Sequence, residues 1–338
     1  MVRLPNVFTI IADVTAAFCL VLGGNGYRPG ASDGFGFPVG VFALVIASGV
    51  CLYWGGMVLN DVFDVRRDLR ARRERPLASR AISVSKARVA GIGMLALGVL
   101  IAAVIGWMEP SNIQSWVPAF VTIGLVMAIV LYDGPLKRTP VAPMVMGLCR
   151  VLSFLLGATA ATAAVGSLSN GVLADLALGD SVFLEIRWVA LMFALGMGTY
   201  IAGITTFGRR EAVGDQTIHL PVGLAMMFFG AILIGTAPYM GGSGAKGGPS
   251  WRTVWQIDPV FVFPFAIFLM VAATLINGRR AAGNPSPKSI QATIRSGLLA
   301  IIPLAAAITM LALGAIPAVG VFALMLPSAW LSKRFRMT

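Results

Sequence analysis

Charged residues are scarce in this sequence: Asp, Glu, Lys and Arg together make up only 12% of its 338 residues. Soluble domains carry about 25% charged residues, which cover the surface that faces water. Hydrophobic residues make up 57% of the sequence, and the mean hydropathy is +0.85. Apolar runs of about 20 residues recur along the chain, and each is long enough to cross the hydrocarbon core of a membrane. The composition therefore excludes a soluble protein and indicates an integral membrane protein.

Cysteine and histidine are also rare. The three cysteines, Cys19, Cys51 and Cys149, lie in apolar runs without paired spacing, which supports neither a disulfide framework nor a zinc site. The one histidine, His219, stands at the start of a predicted span, where placement at the membrane interface is a more common role than catalysis. Any chemistry is therefore expected from carboxylates and basic side chains.

Ten apolar runs predict an all-α, polytopic membrane protein that forms one domain over residues 1–338. The predicted helices cover residues 7–24, 38–60, 88–108, 115–132, 141–165, 186–207, 219–238, 258–277, 295–314 and 316–332. Only Gly314-Ala315-Ile316-Pro317 separates the last two runs, which form either two short spans or one broken span. The predicted number of transmembrane helices is therefore nine to ten.

Basic residues are distributed unevenly between the two sides of the predicted bundle. With ten spans, 21 of the 26 Lys and Arg residues fall on one side, four fall on the other, and Arg150 lies inside a span. Because basic loops remain in the cytoplasm, both termini and the 2/3, 4/5, 6/7 and 8/9 loops are predicted to be cytoplasmic. The same rule explains the net charge of +12, so no nucleic-acid partner is expected. The expected location is the inner membrane of a bacterium.

An acidic segment follows the second apolar run. In Asn60-Asp61-Val62-Phe63-Asp64-Val65-Arg66-Arg67-Asp68, the spacing of the three aspartates places them on one face of a helix that continues out of the membrane. Like charges at this spacing oppose helix formation, and a bound cation would relieve their repulsion. Mg²⁺ prefers oxygen ligands of this kind, supplemented by phosphate oxygens and water. The alternative is a solvated acidic cap whose aspartates pair with nearby arginines.

The pattern Asn60-Asp61-x-x-Asp64-x-x-x-Asp68 resembles the NDxxDxxxD signature of the UbiA superfamily of membrane prenyltransferases. Three further segments are similar to the family: Arg3-Leu4-Pro5-Asn6, the run from Arg75-Pro76 to Ser83, and Tyr132…Leu136-Lys137-Arg138. The resemblance implies a helical bundle around a central cavity that opens to lipid. It also implies a Mg²⁺ cofactor held by Asp61, Asp64 and Asp68.

The resemblance further implies a reaction. A polyprenyl group would pass from a prenyl diphosphate to an acceptor inside the membrane, with Asn60, Asp61, Asp64 and Asp68 as the catalytic set and membrane lipids around the protein. The sequence does not identify the acceptor. The alternative function is that of a non-catalytic UbiA-like protein that handles lipids or takes part in transport.

The second acidic motif of the family is altered in this sequence. Alignment on Gly214-x-x-Thr217 places Thr206 and Arg210 where the family carries aspartates, and Glu211 stands one position away. Either Glu211 supplies a further metal ligand while Arg209 or Arg210 binds diphosphate, or the second metal site is degraded. This variant resembles the divergent UbiA-like branch found in ebo-type gene clusters.

Three other basic residues are candidates for substrate binding. Arg150 lies within the fifth predicted span, where a charge usually faces a cavity or a partner. It would contact diphosphate or pair with an acid such as Asp13. Lys137 and Arg138, in the 4/5 loop, are either topology markers or diphosphate ligands.

Overall fold

A computed structural model describes residues 4–30, 36–71, 75–108, 113–169, 180–209, 219–240 and 255–334. Within these ranges the chain forms α-helices, two short 3₁₀ turns and no strand. The helices are α1 (Leu4–Gly24), α2 (Val39–Ala71), α3 (Val84–Met108), α4 (Val117–Asp133), α5 (Ala142–Ser169), α6 (Asp180–Gly208), α7 (His219–Thr236), α8 (Val262–Gly283), α9 (Pro287–Leu299), α10 (Ile301–Leu313), α11 (Ala315–Ala323) and α12 (Met325–Arg334).

All ten predicted apolar runs are helical. Eight helical segments of the described chain are long and apolar enough to cross a membrane. The remaining two runs correspond to the shorter apolar helices Val117–Asp133 and Ala315–Leu331. The prediction of an all-α polytopic membrane protein is therefore confirmed.

Near the C-terminal end, local residues explain where two of the helices begin or end. Gly314 has a φ of 86°, a left-handed conformation that glycine adopts without strain, and it separates α10 from α11 at the predicted break. The ninth segment begins at Pro287, ahead of the predicted start at residue 295. There the Ser286 hydroxyl accepts a hydrogen bond from the Ser289 backbone N–H and forms a capping box. The apolar run therefore marked the hydrophobic part of this helix and missed its polar first turns.

The helices form a ring in chain order. Each helix from α1 to α10 contacts the next one, and α10 returns to contact α1. Among the eight candidate spans, α1 is the most enclosed. Of its apolar membrane-spanning stretch, 78% is buried, whereas 28% of the corresponding stretch of α8 is buried. Phe265, Phe268 and Leu269 of α8 are exposed. Apolar side chains on such an outer face suit contact with lipid rather than with water.

Glycines bring the helices of the second half close together. A Cβ atom added to Gly203 of α6 would lie 2.6 Å from the Met227 nitrogen and 2.7 Å from the Gly223 oxygen of α7. Gly196 and Gly230 form a second contact of this kind between the same helices. Small residues permit the close backbone approach on which helix association in a membrane depends.

Candidate active site

The second helix is longer than a membrane span and carries the acidic motif at its C-terminal end. It has 33 residues, whereas about 20 suffice to cross a bilayer, and the motif occupies its last turns. Asp61, Asp64 and Asp68 lie on the continuous helix, as the sequence predicts. Their side chains differ in surroundings, since Asp68 is buried at 6% exposure while Asp61 and Asp64 are partly exposed.

The loop after α4 contributes a cation to this face. The Lys137 ammonium donates hydrogen bonds to Asp64 Oδ2 at 2.6 Å and to Asn60 Oδ1 at 2.5 Å. It therefore connects two residues of α2 that are one helical turn apart. Lys137 therefore lies at the acidic face, and its role as a diphosphate ligand stays a prediction.

A second cation holds the outer part of the motif. The Arg75 Nη1 atom lies 2.9 Å from Asp68 Oδ2, to which it donates a hydrogen bond, and 3.8 Å from Asp61 Oδ1. Pairing of the aspartates with nearby arginines was the alternative to metal binding. The structure shows such pairing for Asp68, and a longer contact for Asp61.

The donor set at this face suits Mg²⁺. Asn60, Asp61 and Asp64 present amide and carboxylate oxygens, the ligand type that Mg²⁺ prefers. Within the described ranges, no group of three or more His, Cys, Asp or Glu residues is arranged to hold a metal ion. Mg²⁺ commonly takes one or two carboxylates together with substrate phosphates and water. The described residues therefore fit an ion that arrives with a diphosphate better than an ion bound alone.

A cavity of about 280 Å³ lies next to the acidic face and is lined by residues of α1, α2, α4, α5, α6, α9 and α10. Leucine, isoleucine and methionine side chains make up much of its wall. Asn60 reaches the cavity from α2, and Asp133 and Tyr132 reach it from the end of α4. The cavity is thus mainly apolar, and polar side chains of α2 and α4 are part of its lining.

Sequence reasoning missed Asp133. It is 6% exposed and is close enough to Lys137, Asp64 and Asp61 for electrostatic interaction. The only signal in the sequence was an acidic residue directly after Tyr132 in the segment that leads to Lys137. Its inward placement depends on how α4 packs against α2, which a one-dimensional pattern does not contain.

Arg150 both lines the cavity and pairs with Asp13. Its Nε atom lies 3.0 Å from Asp13 Oδ2, and its Nη2 donates a hydrogen bond to the Thr9 carbonyl oxygen at 3.2 Å. The Nε–H bond does not point at Asp13, so this contact is an ion pair rather than an aligned hydrogen bond. Arg150 is 7% exposed and Asp13 is fully buried. The proposed pairing partner is therefore the observed one.

Arg209 and Arg138 have other surroundings than Lys137. Arg209 donates hydrogen bonds to the carbonyl oxygens of Thr139 and Pro140, which ties the end of α6 to the loop that carries Lys137. Arg138 is exposed. Arg210 and Glu211 lie outside the described residues, so their roles stay predictions.

The ring of helices around a polar-ended cavity defines a class of polytopic membrane proteins with known representatives. A UbiA homologue from Aeropyrum pernix K1 is similar over 91% of this chain and 98% of its own, with a TM-score of 0.59 and 17% identity. A second structure, described as giving insights into the biosynthesis of digeranylgeranylglyceryl phosphate synthase in membranes, is similar over 93% of this chain and 100% of its own, with a TM-score of 0.55 and 15% identity. These similarities establish the fold.

The UbiA prenyltransferase family matches residues 14–227, which include both the acidic motif and Lys137. The chain belongs to this family. Its low identity to the solved structures is consistent with a divergent branch.

Curated relatives match a shorter part of the chain. The digeranylgeranylglyceryl phosphate synthase of Sulfurisphaera tokodaii is 29% identical over 121 residues, which are 36% of this chain and 40% of that protein. The enzyme of the same name from Methanopyrus kandleri is 35% identical over 117 residues, or 35% of this chain and 37% of that protein. The matches thus span about two fifths of the length of these relatives. Both organisms are archaea, and the bacterial location stays a prediction.

Proposed function

We propose that the protein is a Mg²⁺-dependent prenyltransferase that moves a polyprenyl group from its diphosphate to an acceptor inside the membrane. The observation that carries this proposal is the meeting of the acidic face of α2, the Lys137 ammonium and the mouth of an apolar cavity. Family membership and the relatives named as prenyl-transferring synthases support the same reaction class.

The acidic face is the proposed diphosphate end of the site. Asp61 and Asp64, with Asp68 and Glu211 as further predicted ligands, would hold Mg²⁺, which neutralises the charge that develops on a leaving diphosphate. Lys137 lies within reach of the same group, because it already contacts Asp64. Its ammonium can exchange this carboxylate for a phosphate oxygen. Arg138, Arg150, Arg209 and Arg210 stay predicted substrate-binding residues.

The apolar cavity is the proposed binding site of the isoprenoid chain. Its aliphatic wall would hold the chain and exclude water from the reacting carbon. In the reaction, the bond between the allylic carbon and the diphosphate oxygen breaks, and the diphosphate leaves with the electron pair. The acceptor forms the new bond to that carbon and releases a proton. Water must be excluded because it would otherwise capture the allylic cation.

The proposed orientation places the acidic face in the cytoplasm, since the loops that carry the excess of Lys and Arg adjoin it. A reporter fused after Thr338 is expected to read cytoplasmic if ten segments span the membrane. A signal from the opposite side would contradict this orientation or the count of ten.

Pyrophosphate release tests the reaction. The purified protein in liposomes is supplied with polyprenyl diphosphates of several lengths, Mg²⁺ and a total lipid extract from the source cells as the supply of acceptor. We expect pyrophosphate release that Asp64→Asn abolishes and that Asp258→Asn leaves unchanged. Asp258 caps the start of α8 next to Gln256, which contacts Leu311 at the end of the bundle away from the acidic face. Binding of the polyprenyl diphosphate without pyrophosphate release would favour the lipid-handling alternative.

A further inference from the structure

Asp133 is a buried acid that faces the cavity without a hydrogen-bond donor. Its side chain lines the cavity, and the residue is 6% exposed. Among the described residues, none donates a hydrogen bond to its carboxylate or forms an ion pair with it. Its oxygens are not among the fully enclosed polar atoms, so they are open to the cavity. A carboxylate largely shielded from bulk water without a hydrogen-bond donor is costly, so its position points to a cation that binds there during function.

The basic groups near Asp133 are already occupied. Lys137 is the cation close enough to attract it, yet the Lys137 ammonium contacts Asn60 and Asp64 at hydrogen-bond distance. The other charges that act on Asp133 are the carboxylates of Asp61 and Asp64, which repel it. Arg75 donates its hydrogen bond to Asp68. Both of these cations therefore hydrogen-bond residues of α2, and neither hydrogen-bonds Asp133.

The position of Asp133 complements that of the aspartates on α2. Asp61 and Asp64 approach the site from α2, whereas Asp133 approaches it from the end of α4, and the two helices are in contact. Asn60 and Asp133 both line the cavity. The space between them therefore joins the acidic face to the proposed binding site of the isoprenoid chain. A diphosphate whose tail lies in the cavity would have to pass this space.

We propose that Asp133 is a further Mg²⁺ ligand, which binds the diphosphate-bearing ion together with a carboxylate of α2. This inference rests on the proposed function, because the ion is the one that accompanies the prenyl diphosphate. One or two carboxylates with phosphate oxygens and water complete the coordination of Mg²⁺, so no cluster of three protein carboxylates is needed. Binding would also bring a positive charge into direct contact with the Asp133 carboxylate, which forms no ion pair among the described residues.

Manganese binding to the full-length protein in detergent tests this role without turnover. Mn²⁺ is titrated by electron paramagnetic resonance in the presence and absence of inorganic pyrophosphate, with wild type, Asp133→Asn, Asp64→Asn and the distant Asp258→Asn. With pyrophosphate present, Asp133→Asn is expected to weaken Mn²⁺ binding by about tenfold or more, as loss of a group that supports a metal site commonly does. Asp258→Asn should bind as wild type does.

The outcomes separate this inference from the proposed function. If Asp64→Asn weakens Mn²⁺ binding and Asp133→Asn does not, Asp133 is no ligand and the proposed function stands. If neither variant changes binding, both the ligand role and the metal site of the proposed function are wrong. The thermal midpoint of Asp133→Asn should equal or exceed that of wild type, because an uncompensated buried charge has been removed.

A change of metal preference gives a second measurement that does not depend on the asparagine variant. In Asp133→Cys a thiolate would replace the carboxylate, and thiolates prefer softer ions. Relative to wild type, which contains the same native cysteines, the ratio of Cd²⁺ to Mn²⁺ affinity with pyrophosphate is expected to rise about tenfold. An unchanged ratio in a folded Asp133→Cys protein would show that the side chain does not touch the ion.

Discussion

The Lys137 ammonium lies 2.6 Å from Asp64 Oδ2 and links the loop after α4 to the acidic end of α2. The two residues are 73 positions apart in sequence. This ammonium is therefore a positive charge in direct contact with one of the proposed metal ligands.

We expect Lys137→Met to strengthen Mn²⁺ binding in the absence of pyrophosphate, because the substitution removes a competing cation from Asp64 and Asn60. The pair is partly exposed, and such pairs contribute up to about 1 kcal/mol, which corresponds to a two- to fivefold change in affinity at most. With pyrophosphate present, binding of pyrophosphate itself should weaken, because a charge-assisted contact is lost. Isothermal titration calorimetry measures both effects.

The neighbouring Arg138→Met is the matched control for Lys137→Met. Arg138 is exposed, so its removal should change Mn²⁺ binding in the absence of pyrophosphate by less than twofold if the Lys137 contacts are the cause. Equal effects of the two variants would show that only the general positive charge of the loop matters.

Arg75 and Asp68 form the second ion pair of the motif, and a double-mutant cycle measures its contribution to stability. Arg75→Ala and Asp68→Asn should each lower the midpoint of thermal unfolding slightly, and the double variant should lower it by less than the sum. Because Arg75 is partly exposed, the coupling free energy is expected to be below about 1 kcal/mol. A coupling of several kcal/mol would mean that this pair anchors the long 2/3 loop more firmly than its exposure suggests.

The contact between α6 and α7 depends on Gly203. In Gly203→Ala the new methyl group would meet the backbone of Met227 and Gly223, which cannot move aside as a flexible side chain does. We expect a loss of about 1–3 kcal/mol in unfolding free energy, measured by denaturation in mixed micelles.

Gly93→Ala is the control for this substitution. Gly93 lies on α3, and a Cβ atom there would meet nothing within 4 Å. Alanine also has the higher helix propensity, so this variant should be as stable as wild type or slightly more stable. Similar losses in both variants would point to helix-wide effects of the change rather than to the interface.

Features that show as a regular spacing of residues along the chain could be predicted from the sequence. The ten apolar runs each supply enough buried or lipid-facing surface to predict a helix, and the spacing of Asp61, Asp64 and Asp68 follows the helical period. The break at Gly314 was visible because glycine and proline are local signals.

Features that depend on packing between distant segments could not be predicted in the same way. The contact of Lys137 with Asn60 and the inward position of Asp133 both depend on how α4 meets α2. Arg150 illustrates an intermediate case. Because an isolated charge inside a span requires a partner, the sequence offered Asp13 as one candidate, and the structure shows this pair. That Arg150 also lines the cavity could be seen only in the structure.

Asp13 and Arg150 form an ion pair that is buried inside the bundle. Replacement of one partner leaves the other charge buried alone, so Asp13→Val and Arg150→Met should each lower stability by about 3–5 kcal/mol. The double variant replaces both charges with apolar side chains and should recover most of that loss. Thermal unfolding in detergent measures all three.

Binding of pyrophosphate with Mn²⁺ to the folded double variant then decides between the two roles that the sequence left open for Arg150. If Arg150 also contacts the diphosphate through the cavity, the double variant should be stable yet bind pyrophosphate several times more weakly than wild type, because a charge-assisted contact has been lost. If the pair only stabilises the contact between α1 and α5, stability should recover and binding should equal that of wild type. A double variant less stable than either single variant would contradict the assignment of Asp13 and Arg150 as mutual partners.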